Sequence, residues 1–323
     1  MRVWGIAAVV ALGIATTAAA GPLDLKQVCA SAKWVVHVDV DAMRESTLVQ
    51  RIYDKVIQEA PEAEQHLRNV TDLVEHLGID LTRDLHGITA YGSVVGKPEG
   101  VFLVDANFDE KSLLEKADQA PDHQVTTHGA YQVHSWTDAK GKRHEHPMAG
   151  TVYKNLLIFA PAAAQVNAAL DVLDGKSPAL AGKSSPLTAK VPAGTLVLIR
   201  AIGLSDAKLP WKSPLVTQSE SFGVAIGEQG GKVCFEGMLT AKSKETAEQA
   251  KAVVEGARSM AELQHGQDAE AAKLIKAVKV SVADTALSVE FSASADDVWS
   301  RLEKGIQKAV EHHRKQVEKK ESK

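Results

Sequence analysis

The alternation of apolar and polar positions divides the chain into strands and helices in an order that occurs twice. Residues 34–40 (WVVHVDV) alternate with a period of two and predict a strand. Residues 42–59 then change to helical spacing, with Met43, Val49, Ile52, Val56 and Ile57 mostly on one face. Pro61 opens a second helix carrying Leu67, Val70, Leu73, Val74 and Leu77, and Gly78 ends it. Two strands follow at 88–93 and 101–107, with Gly96, Pro98 and Gly100 in the turn between them. Asp109 is an N-cap for a helix running through Ala117. Strands at 124–127 and 131–136 precede a pair at 150–153 and 156–160, joined by Lys154-Asn155. Pro161 starts a closing helix with Val166, Leu170 and Leu173 on one face.

The second half repeats this order. Residues 195–201 (TLVLIRA) stand where 34–40 stood, and 222–226 with 232–239 form a hairpin about Gly230-Gly231. Ser243 caps a helix over 244–264, and strands at 278–283 and 287–292 match those at 131–136 and 156–160. Ser294-Ala-Asp-Asp297 reads as a capping box before a terminal helix, which ends in the charged stretch 312–323. The expected fold class is α+β: two similar units related by internal duplication, each an antiparallel sheet covered by helices. The units span 21–174 and 194–323, and the Gly-, Ser-, Pro- and Lys-rich segment 175–193 links them. The helix at 61–77 and the loop 137–149 belong to the first unit alone.

Residues 1–20 change the picture of where the chain works. Arg2, the apolar run 3–15 and the small residues Ala18-Ala19-Ala20 come in the order of a secretory signal, cut before Gly21. The apolar run is shorter than the ~20 residues that span a bilayer, so no transmembrane anchor is expected after cleavage. The expected location is periplasmic or extracellular. Val38-Asp-Val-Asp-Ala-Met-Arg44, the signal and the duplicated modules together resemble exported bacterial proteins of unknown function, which have no characterised family. That resemblance implies no activity and no site residues.

Charge and chemistry narrow the function further. With 37 Lys and Arg against 41 Asp and Glu, the net charge of −4 excludes the basic footprint of a general nucleic-acid binder. The two cysteines, Cys29 and Cys234, form an even pair that can close one disulfide in an oxidising compartment. Histidines concentrate at His123, His128, His134, His144 and His146. His144 and His146 share one side of an extended segment, and His134 on a facing strand could complete a three-nitrogen metal site. Asp39, Asp41, Asp105 and Asp109 could pair as carboxylates, but Asp39, Asp41 and Asp109 sit at helix starts, where capping accounts for them. The glycines Gly223, Gly227, Gly230 and Gly231 lack the strand-to-helix setting of a phosphate loop and read as turn geometry. No nucleophile elbow is present.

Two functions follow from these readings. The first is a non-enzymatic module, without a cofactor, that binds a partner protein or small ligand. The alternative is a metal-binding protein or metal-dependent enzyme using the histidines of residues 128–146.

Overall fold

The computed structural model describes residues 23–59, 79–80, 83–96, 99–138, 146–207 and 214–321. The expected signal segment, the helix expected at 61–77 and His144 lie outside these residues. Twelve strands form a single antiparallel sheet in the order β11-β12-β10-β9-β8-β1-β2-β3-β7-β6-β5-β4. In chain order they are β1 (Trp34–Asp39), β2 (Leu85–Gly92), β3 (Val101–Ala106), β4 (Gln124–His128), β5 (Tyr131–Asp138), β6 (His146–Tyr153), β7 (Leu156–Ala160), β8 (Thr195–Ile202), β9 (Ser219–Gln229), β10 (Lys232–Ala241), β11 (Val278–Ala283) and β12 (Ala286–Ser294). The described helices are α1 (Val40–Glu45), α2 (Thr47–Glu59), α3 (Glu110–Asp118), α4 (Ala163–Leu173), α5 (Pro214–Thr217), α6 (Lys244–His265), α7 (Ala269–Lys276) and α8 (Ala295–Glu321).

The two halves meet at β1 and β8, which pair antiparallel with Val36 opposite Ile199. The sheet is therefore continuous across the chain. The first helix expected after β1 is broken in two at Ser46, whose extended ψ of 118° ends α1. Its hydroxyl then accepts from Val49 N at 3.2 Å and opens α2. β6 begins at His146, so the expected loop 137–149 shrinks to the residues between β5 and β6. That extension also changes one correspondence. β11 lies beside β12 as β6 lies beside β7, so residues 278–283 occupy the place of 146–153 rather than that of 131–136.

Register across nine strands shows how each face is used. One row runs Leu157, Val104, Ile88, Val38, Val197, Ile226, Phe235, Phe291, Val278 and is apolar throughout. The adjacent row, on the opposite face, runs Ile158, Leu103, Thr89, His37, Leu198, Ala225, Glu236, Glu290, Lys279. It is buried as far as Ala225 and exposed from Glu236 onward. Over β5–β7 this second face carries α4, whose Val166, Ala169 and Leu170 join Val35, Leu103 and Ile158 in the main core. Over β10–β12 the helices α6 and α8 pack on the sheet, and the alternation of half-buried Val278, Val280 and Val282 with exposed Lys279 and Ser281 places them on the first face. The closing helices α4 and α8 thus cover opposite faces.

The segment 175–193 is built into the core. Leu180 and Leu187 are buried in it, and the Arg200 guanidinium donates to the carbonyls of Leu187, Ala189 and Lys190 at 3.1, 2.6 and 3.0 Å. The glycines at 227–231 serve chain geometry. A Cβ on Gly227 would lie 2.3 Å from the Gly194 carbonyl, and Gly230 and Gly231 take the positive φ of a two-residue hairpin turn.

Candidate functional site

α3 ends beside the β4–β5 hairpin, and this junction gathers two histidines and an aspartate. Asp109 starts α3 by accepting from Lys111 N at 3.1 Å, and the helix carries Asp118 at its last position. His134 lies in the middle of β5, opposite Gly150 of β6, and is buried. His123 precedes β4 and stacks on His134, with ring centroids 5.2 Å apart and planes at 15°. His123 Nε2 lies 2.9 Å from His134 Nδ1, so one nitrogen donates and the other accepts. Asp118 Oδ1 is 3.6 Å from His123 Nδ1. One donor atom from each of Asp118, His123 and His134 lies within 4.8 Å of the other two, the one such group of metal-ligating side chains among the described residues.

Burial first, and the neighbouring His123 second, hold the pKa of His134 below the ordinary histidine value. A neutral ring keeps a lone pair for a metal. The Nε2 of His134 is buried without a protein partner. Two nitrogens 2.9 Å apart subtend about 90° at a metal ~2.05 Å from each, and a few tenths of an ångström of opening reaches the tetrahedral angle. Asp118 is exposed, so its carboxylate can rotate toward the pair and solvent reaches the site from its side.

The sequence pattern points to a metal site among His134, His144 and His146. His128 is not with His134: its Nε2 is 2.8 Å from Asp171 Oδ1 on α4. His146 begins β6 opposite Asp138. His134 meets a histidine from outside the expected 128–146 set, His123, with Asp118 beside the pair, and the side chains of His144 and His146 lie outside the described residues. The missed signal is the hairpin, because the β4–β5 turn folds the chain back and sets His123 against His134.

A second polar cluster lies at the ends of β1–β3. Asp39 caps α1 by accepting from Ala42 N at 2.9 Å, and burial raises its pKa to about 6. Asp41 and Asp105 are not caps. Arg44 donates to Asp41 and to the Leu85 carbonyl, and His86 Nδ1 lies 3.0 Å from Asp41 Oδ2. His86 Nε2 is 2.9 Å from the Asn107 amide nitrogen, which fixes the ring with its proton on Nδ1, donated to Asp41. Asn155 donates to Asp105, whose pKa burial raises. Each member has a protein partner, so the cluster fastens α1 to the sheet.

Both cysteines are free thiols, and the bridge expected from their even number is not made. Cys29 lies by Ser31 and Tyr91, whereas Cys234 is on β10 near Ser292, with β1, β8 and β9 between the strands concerned. No described helix is long and apolar enough to cross a membrane.

No protein-family profile and no curated protein matches the chain. Among solved structures, crystal form I of TP0453 is similar at 8% identity and a TM-score of 0.44, over 88% of this chain and 98% of that one. Crystal form III of TP0453 gives 10% identity and a TM-score of 0.43, over 88% and 99%. Likeness at that level transfers no function, and no characterised family is evident for this α+β chain.

Proposed function

We propose that the protein is an exported, non-enzymatic module that binds a divalent transition metal through Asp118, His123 and His134. The observation that carries this reading is the pair of imidazole nitrogens 2.9 Å apart, with His134 buried and a carboxylate in reach. Two imidazoles and one carboxylate suit zinc and its neighbours, and three protein ligands leave a position for water or a small ligand. This keeps the metal class expected from the histidine-rich stretch while replacing most of the ligand set.

Duplication of one α+β unit is part of the proposal. Reading outward from the β1/β8 seam, β1-β2-β3-β7-β6 and β8-β9-β10-β12-β11 follow the same order, which supports two copies. The β4–β5 hairpin then extends the first copy and brings the metal ligands with it. The opposite placement of α4 and α8 is a divergence between the copies.

Calorimetric titration of the secreted protein with zinc tests the reading. One zinc per chain is expected, with a mature N-terminus at Gly21. At a hundredfold excess over the dissociation constant, zinc raises stability by about 2.7 kcal/mol. His123→Gln, at a half-buried position, abolishes binding, while His128→Gln leaves it unchanged. Binding that survives His123→Gln, or that is not saturable, overturns the assignment.

A further inference from the structure

Tyr91 of β2 is 3% exposed, yet its hydroxyl has no protein hydrogen-bond partner. A buried polar group without a partner is destabilising, and most are satisfied by something. The side chain borders a cavity of about 130 Å³ between the N-terminal segment, the β2–β3 hairpin and α4. Cys29, Val101, Gln165, Ala168 and Ala169 also line it. Burial first, and the nearby Cys29 second, raise the phenol's pKa above its ordinary value. The hydroxyl is therefore a neutral donor close to the Cys29 thiol. Cys29 Sγ in turn lies 3.2 Å from the Ser31 hydroxyl.

We propose that this cavity binds a small uncharged molecule with an aromatic or alicyclic body and one oxygen, which hydrogen-bonds the Tyr91 hydroxyl beside Cys29. Size comes from the volume: an apolar cavity of roughly 150 Å³ accommodates benzene. Ala169 and Val101 supply apolar wall. Glu99 lines the cavity and, among the described residues, no lysine, arginine or histidine does, so an anion would be repelled and lose its hydration there. The Tyr91 donor calls for an acceptor oxygen, which an ammonium group lacks. The single oxygen follows from Tyr91, the buried polar side chain that has no protein partner at this place. The proposal is independent of the metal reading. His134 is in one row with Gly150, Phe159, Phe102 and Ala90, and Tyr91 follows Ala90, so the two sites use opposite faces of the sheet.

The test uses Cys29 as its own reporter. In the Cys234→Ser protein, with chelator present, the rate of Cys29 alkylation by iodoacetamide is followed by mass spectrometry. Phenol is the probe and benzene its counterpart without oxygen. Phenol at ten times its dissociation constant should slow alkylation about tenfold, because only the free site reacts. Benzene should protect more weakly at equal concentration. Tyr91→Phe should remove the advantage of phenol over benzene and raise the melting temperature of the free protein, since an unpartnered hydroxyl is gone. Ala168→Trp, at an exposed helix position that borders the cavity, should abolish protection by both. Equal protection by phenol and benzene, or a phenol effect unchanged in Tyr91→Phe, overturns the proposal. So does no protection at all, which leaves the cavity to water.

Discussion

His37 shows how a single buried side chain sets a response to pH. It lies on β1 between Leu198 and Thr89, 7% exposed, with Nδ1 2.9 Å from the Thr89 hydroxyl. Its Nε2 has no protein partner, and burial lowers its pKa to about 4 from 6.5. Below pH 6.5 the unfolded chain takes up a proton that the folded chain refuses. The stability associated with neutral His37 is therefore complete above 6.5 and lost as pH falls toward 4. The gap between these values corresponds to on the order of 3 kcal/mol. Asp39 acts in the opposite sense. With its pKa raised from 3.8 to about 6, its favourable contribution is complete below 3.8 and lost as pH rises through 6. Denaturant midpoints of His37→Gln should fall less steeply than wild type between pH 6.5 and 4. Those of Asp39→Asn, which keeps the capping oxygen, should fall more steeply over the same range. Parallel profiles for all three proteins would show that neither group titrates as its burial implies.

Among the elements, α2 depends on a residue from the other half of the chain. Glu228, near the end of β9, accepts from the Ser46 hydroxyl at 2.6 Å and from Leu48 N at 3.0 Å. A carboxylate at a helix start satisfies an otherwise free N–H and meets the positive end of the helix dipole. Ion pairs from Arg51 to Asp296 at 2.7 Å and from Lys55 to Glu303 at 3.1 Å then hold α2 to α8. These pairs lie at or near the surface and add little, so the cap is the stronger tie. Glu228→Ala should cost about 2 kcal/mol in chemical denaturation. Glu228→Gln, which can still accept, should recover about half. An alanine variant as stable as wild type would mean that water replaces the cap without loss. The local part of this element was legible, since Ser46 and the apolar positions of 42–59 are in plain sequence. Glu228 was not, because 180 residues separate it from Leu48. The short helix α7 was also missed, although Asp268 supplies the cap: its side chain accepts from Glu270 N at 3.0 Å and Ala271 N at 3.2 Å.

On the scale of the whole molecule, coverage of the sheet is unequal. β2, β3 and β7 have buried side chains on both faces, and β1 is buried on one face and half-buried on the other, whereas β10–β12 leave Glu236, Glu290 and Lys279 in solvent on one. Local opening free energy follows buried apolar contact, so native-state hydrogen exchange should be slowest in β1–β3, β7 and the paired strand β8. Amides of β10–β12 should exchange at a lower free energy, on the order of 2 kcal/mol less, given the lost face of side-chain burial. Equal protection across all these strands would contradict the asymmetry. Slow exchange in β1 together with fast exchange in β8 would contradict the seam as a joint between the halves.

Sequence alone determined the features whose causes lie within a few residues. The caps at Asp109, Ser243 and Ser294, the turns at Lys154 and Gly230-Gly231, and the alternation of β1 and β8 all follow from backbone geometry and nearest neighbours. Tertiary structure decided which strands became neighbours and which face each helix covered, because those depend on side chains far apart in the chain. It paired β1 with β8, drew residues 175–193 into the core, and sent α4 and α8 to opposite faces. It also set two histidines against each other. His123 and His134, eleven residues apart, meet because a hairpin and a helix end converge there, whereas His144 lies outside the described residues. Which side chains approach each other across a fold depends on strand pairing and helix placement, and spacing along a sequence does not contain it.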